Sequence, residues 1–215
     1  MTDSVAAQPI VMSEAKLRRV LATLCLTQIT SWGVLFYSFT VLSVRVTQQA
    51  GWSPFAVTAA FSAALVTSAL AGIAVGRWID RHGLHAVMTA GSVLGPLALA
   101  GVALSPTLGW FVAAWIAAGM AMGAVLYQPA FAALTRWYGP RHVGALTILT
   151  LVAGLASTVF APLTAALADH LPWRTTYLVL AAALAVVTIP AHFFGLRQPW
   201  PAATHPHLAE PTWCR

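Results

Sequence analysis

The stretch 76-GRWIDRHG-83 gathers Arg77, Asp80, Arg81 and His82 between runs that carry almost no charge. The 215-residue chain is 59% hydrophobic and only 7% charged, with a mean hydropathy of +0.78. A soluble domain carries about 25% charged residues, and a water-soluble fold of this size could not cover its surface with so few polar groups. Lipid is therefore the expected solvent for most of the chain. The charged stretch reads as a short polar loop between two membrane spans.

Working outward from that loop, six runs have the roughly 20 apolar residues that a crossing helix needs. They fall at about 20–44, 55–76, 86–104, 109–134, 143–168 and 174–194. The connections contain breakers or charges: Gly51-Trp52-Ser53-Pro54, Arg77 to His85, Ser105-Pro106, Tyr138-Gly139-Pro140-Arg141 and Asp169 to Trp173. Residues 1–19 read as a polar N-terminal tail, and 20–194 as the transmembrane bundle. Residues 195–215, rich in Pro and polar residues, read as an unstructured tail. The first apolar run is too long for the core of a secretory signal and ends in no small-residue cleavage site, so an uncleaved first span is expected.

The net charge of +6 would suggest nucleic acid in a soluble protein. Here the basic residues sit in short segments between spans, and topology explains them without a nucleic-acid partner. One side receives Lys16, Arg18, Arg19, Arg77, Arg81, Arg136, Arg141 and Arg197; the other receives Arg45 and Arg174, partly offset by Asp169. The bias predicts cytoplasmic termini; the expected location is the plasma membrane, as a multi-pass protein of a bacterial inner membrane. Cys25 and Cys214 are too few and too far apart for a disulfide framework or a zinc pattern.

The second three spans echo the first three. The pattern 33-GVLFY-37 matches 123-GAVLY-127, and an arginine follows each, Arg45 and Arg136. 54-PFAV-57 matches 140-PRHV-143, and Asp80 corresponds to Asp169, at a common offset of about 90 residues. Three is an odd number of crossings, so two such copies would lie in opposite senses, the architecture of many secondary transporters. Chance matching in apolar sequence is the alternative.

Gly-x-x-x-Asp-Arg-x-Gly after the second span resembles the signature loop of the major facilitator superfamily, through Gly76, Asp80, Arg81 and Gly83. The family pattern continues with two basic residues; Leu84 and His85 stand there in this chain. The resemblance covers residues 20–194 and implies an all-α membrane fold, six helices as two inverted three-helix repeats, corresponding to half of a full transporter. It implies a small-molecule substrate moved by alternating access, and a cytoplasmic latch formed by the 76–85 loop. On the residues themselves, Gly76 would let helices approach closely and Asp80 would accept from backbone N–H groups at a helix N-terminus. Arg81, Arg136 and Arg141 would pair with carboxylates, and Gly83 would permit a tight turn. A plain basic loop with one balancing aspartate is the alternative. Because the resemblance reaches only half of the family fold, the chain is expected to be a truncated, non-transporting fragment, a half that pairs with a second six-helix half, or a six-helix homodimer.

Polar side chains at membrane depth are costly and therefore informative. The first span offers Gln28, Ser31, Trp32 and Tyr37, and the fourth Tyr127 and Gln128 before Pro129; the fifth offers Thr147 and Thr150. They are candidates for lining a solute cavity, with helix–helix packing as the alternative. No Asp or Glu lies inside a span, and His192 is expected at a wetted interface. Arg45 and Arg174 are expected to snorkel at the outer surface. Nothing implies a cofactor, a metal or an enzyme: His-Glu-x-x-His and P-loop patterns are absent, and 205-HPH-207 with Cys214 lacks a fourth ligand.

Overall fold

A computed structural model describes residues 12–200. Helix α1 (Glu14–Ser31) continues through a π-helical segment (Trp32–Tyr37) into α2 (Ser38–Ala50). There follow α3 (Pro54–His82), α4 (Leu84–Ala103), α5 (Leu108–Val125), α6 (Tyr127–Tyr138), α7 (His142–Gly154), α8 (Ala156–His170) and α9 (Trp173–Gly195). Among the described residues five helical stretches are long and apolar enough to cross a membrane: Glu14–Ala50, Pro54–His82, Leu84–Ala103, Leu108–His170 and Trp173–Gly195. The fourth, 63 residues long, is interrupted by extended backbone at Leu126 and by a 3-10 turn over Gly139–Arg141, where Gly139 has φ 53°.

Local chemistry sets the ends. Gly51, at φ 72°, closes α2 in the left-handed conformation that glycine adopts without strain. The Ser53 hydroxyl accepts from Ala56 N–H ahead of Pro54 at the start of α3, and the Thr107 hydroxyl caps α5 at Trp110 N–H.

α5 packs against both α3 and α4, α9 against α4 and α1, and α1 also against α7. The core where α2, α3 and α5 meet is aromatic. Phe39 and Phe61 stack at 4.1 Å, with Trp115 edge-on to both at 5.3 and 5.1 Å. The α3–α5 crossing is closer than side chains would allow. A Cβ on Gly119 would lie 2.2 Å from the Ala64 carbonyl oxygen, and one on Gly123 2.8 Å from that of Ser68. The stretch 119-GMAMG-123 is thus a small-residue contact of the kind that lets membrane helices touch backbone to backbone.

Several boundaries differ from expectation. α1 begins at Glu14, inside the expected tail, because its first turns are amphipathic: Leu17 and Val20 are buried while Arg18 and Arg19 face out. α3 runs on through Arg77, Asp80 and Arg81, because nothing between Gly76 and His82 breaks a helix; only Gly83, at φ 82°, leaves it. The charged stretch is therefore a helix end rather than a loop, and Asp80 meets a side chain of α6 rather than a helix N-terminus. Gly76 faces open space, so it is not a close-approach glycine. The first part of the expected unstructured tail is packed: Leu196 is buried, and Trp200 sits edge-on to Trp137 at 5.6 Å. Residues 1–11 and 201–215, including 205-HPH-207 and Cys214, lie outside the described residues.

Candidate functional site

A polar and aromatic seam runs between the first span, α3 and α6. At its lower end Asp80 on α3 pairs with Arg136 on α6 at 2.5 Å. Arg136 also lies under the Trp200 ring, 4.7 Å from its centroid. Gln128, Ala132 and Arg136 recur at i, i+4 and i+8, one stripe of α6. They line a cavity of about 200 Å³ with Gly72, Asp80 and Pro129. Gly72 is small because the Gln128 amide rests on it: a Cβ there would fall 1.7 Å from Gln128 Oε1. Above it a second cavity of about 220 Å³ is lined by Trp32, Ser68, Met122, Tyr127 and Gln128. Gln128 is the shared wall of the two.

The aromatic part of the seam begins at the π-helical segment. Trp32 and Tyr127 lie 5.0 Å apart, Trp32 meets Phe36 edge-on at 5.3 Å, and Tyr127 stacks on Phe131 at 5.1 Å. Tyr37 joins through Phe36, at 5.2 Å. A π turn within an α-helix shifts the side chains that follow it onto a different face, and such turns are frequent at functional sites. Gly33 in that turn is held against Phe160 of α8.

Gln28 has a different role from the one its position in the sequence suggests. It is fully buried, and its amide donates to the Val125 carbonyl at 2.6 Å. Pro129 has no N–H to return to the carbonyl four residues back, so the chain opens at Leu126 and Gln28 takes the freed oxygen. Gln28 Oε1, Ser31 Oγ and Trp32 Nε1 are buried without a protein partner. Thr147 and Thr150 are exposed on α7 and donate to Val143 O and Leu146 O of their own helix, each at 3.0 Å.

The other basic residues are distributed unequally. Arg141 pairs with Glu14 at 2.5 Å, and Arg45 with Asp169 at 2.5 Å and with the Ala168 carbonyl. Arg174 donates to Ala103 O at the end of α4. Arg45 and Arg174 are thus tied to neighbouring helices rather than only snorkelling. His192 is buried and bonded to Ser92 rather than wetted at an interface, because α9 turns it toward α4. Arg81 stands apart from the Asp80–Arg136 pair and, with Arg77, borders a groove on another face of α3. Sequence reasoning missed Ser68, Phe36, Phe131 and Trp200. Phe36 and Phe131 lie one helical turn from Trp32 and Tyr127, a signal that spacing alone carries weakly.

These features define a multi-pass α-helical membrane protein with a polar seam on one face. The chain belongs to the Major Facilitator Superfamily, whose family profile matches residues 24–212. It is 26% identical over 148 residues to the uncharacterized MFS-type transporter YcxA of Bacillus subtilis (strain 168), a match covering 66% of this chain and 35% of that protein. It is 28% identical over 137 residues to a multi-drug resistance efflux pump PmrA homolog of Lactococcus lactis subsp. lactis (strain IL1403), covering 63% of this chain and 33% of that protein. An uncharacterized 38 kDa protein in the 23S RNA operon of Thermoproteus tenax is 28% identical over 154 residues, 72% of this chain and 40% of that protein. The matches thus span well under half the length of these relatives.

Proposed function

We propose that the bundle is one half of a secondary transporter. Six crossings, arranged as two inverted three-helix repeats, face a second six-helix half across a water-filled path for a small solute. The second half is supplied by further chain or by another copy. The seam carries this reading. Trp32, Tyr127, Gln128 and the Asp80–Arg136 pair lie together on a bundle that otherwise exposes apolar side chains such as Leu70, Ile73 and Leu151. An exposed amide facing hydrocarbon would be costly; facing a wet cavity, it is not.

Two observations support the repeat and the sixth crossing. The turn at Gly139–Arg141 divides the 63-residue stretch, and α6 and α7 pack against each other across it. Two of the three long-range ion pairs are also reciprocal: Arg136 of the second copy holds Asp80 of the first, and Arg45 of the first holds Asp169 of the second. An internal twofold relation requires that exchange. The end bearing Arg77, Arg81, Arg136 and Arg141 is the cytoplasmic one, in a bacterial inner membrane. Asp80 and Arg136 act there as a clasp that releases as the access path alternates.

A substrate-free experiment tests this. In a Cys25→Ser, Cys214→Ser background, Gln128→Cys is probed with membrane-impermeant maleimide in membranes of each orientation. Labelling from an aqueous face is expected, and its balance between the two faces shifts when Asp80→Asn is added. No labelling from either face would put Gln128 in lipid and end the cavity reading. Unchanged balance with Asp80→Asn would remove the clasp.

A further inference from the structure

A concavity larger than either cavity of the seam lies elsewhere on the bundle. It is a groove of about 550 Å³ between α3, α4 and α5. Its walls are apolar, including Ala74, Gly91, Leu94 and Met120, and its end is bordered by Arg77, Trp78 and Arg81. Arg77 and Arg81 are one helical turn apart, so their guanidiniums share a face. Both are exposed, and Trp78 between them is 56% exposed.

Position on the groove, together with charge accounting, picks these two arginines out from the other described basic residues that lack an ion-pair partner, Lys16, Arg18, Arg19, Arg174 and Arg197. The described residues contain three carboxylates, and each is committed: Glu14 to Arg141, Asp80 to Arg136 and Asp169 to Arg45. Among the described residues Arg77 and Arg81 have no ion-pair partner. A pair of guanidiniums on one face matches a phosphate, which accepts paired N–H donors. A tryptophan beside them suits the headgroup level of a bilayer. Basic sites between helices at the cytoplasmic surface recognise anionic lipid headgroups.

We infer that this groove is a binding site for an anionic phospholipid, with its phosphate on Arg77 and Arg81 and an acyl chain along Ala74, Gly91 and Leu94. The site lies on a different face of α3 from the residues that touch Asp80, and it stands whether or not the bundle transports a solute.

The test is lipid retention by the 215-residue chain in native mass spectrometry, titrated with phosphatidylglycerol and, separately, phosphatidylcholine. The wild type retains one phosphatidylglycerol in preference to phosphatidylcholine. Arg77→Gln/Arg81→Gln weakens that retention by about 30-fold, from roughly 1 kcal/mol per basic residue near an anionic surface. Arg77→Lys/Arg81→Lys, which keeps the charge without the paired donors, falls between the wild type and the double glutamine variant. Ala74→Phe, which fills the groove and leaves both charges, weakens retention of both lipids. Both arginines are exposed, and circular dichroism verifies that the variants keep their helix content. Equal retention of the two lipids by the wild type, or undiminished phosphatidylglycerol binding by the double glutamine variant, overturns the assignment. So does full displacement by glycerol phosphate, which would make the ligand a soluble anion.

Discussion

Gln28, Val125 and Pro129 form a three-residue unit whose logic is that of a missing hydrogen. Proline cannot donate, so a carbonyl in the fourth apolar stretch is left open, and a glutamine nearly a hundred residues earlier fills it. Replacing Gln28 with Leu leaves a buried carbonyl unpaired and should destabilise the bundle by about 1–2 kcal/mol. In a Pro129→Ala background, where position 129 regains its N–H, the same replacement should cost less. Denaturant titration in detergent of the four variants reads the difference; additive losses would show that the glutamine and the proline act independently. The sequence marks Gln28 as a polar group at membrane depth, but it does not distinguish a strut from a cavity ligand. In a helix that is apolar on its lipid face as well as its core face, 3.6-residue periodicity no longer tells which way a side chain points.

Helix ends and crossings show the same division between what composition reveals and what packing decides. The turns at Gly51–Pro54, Ser105–Pro106 and Gly139–Arg141 are legible because glycine, proline and capping hydroxyls punctuate a chain in the same way in lipid as in water. The span of α3 through 76-GRWIDRHG-83 is not, because charge suggests a loop while the backbone has no reason to stop. The close α3–α5 crossing was present in the sequence as 119-GMAMG-123 and is a stronger signal of helix contact than Gly76, which touches nothing. Gly119→Val would drive a branched side chain into the Ala64 backbone, with an expected loss of about 1–3 kcal/mol. Gly76→Ala should be neutral or slightly stabilising, since alanine is the better helix former. Thermal unfolding of both in the same detergent separates them; equal behaviour would mean that the crossing relaxes freely.

At the scale of the whole molecule, the reciprocal pairs Asp80–Arg136 and Arg45–Asp169 make a definite claim about sidedness. If the repeats are inverted, cysteines placed at Gly51 and Pro172 react with an impermeant maleimide from the outer face, and one at Gly139 from the cytoplasmic face. Gly51 and Gly139 labelling from the same side would break the inverted arrangement. One feature of the lower end also changes how the bundle passes force to whatever chain is joined to it. Trp200 lies over the same guanidinium that holds Asp80, and the Trp137 indole N–H donates to Pro199 O. The polypeptide is thus moored under α6 several residues beyond the end of α9. A pull on the chain past Trp200 would be borne first by Arg136 and Trp137; on the proposed transporter reading the clasp and the mooring would then yield together, making tension on the tail a lever on the access path.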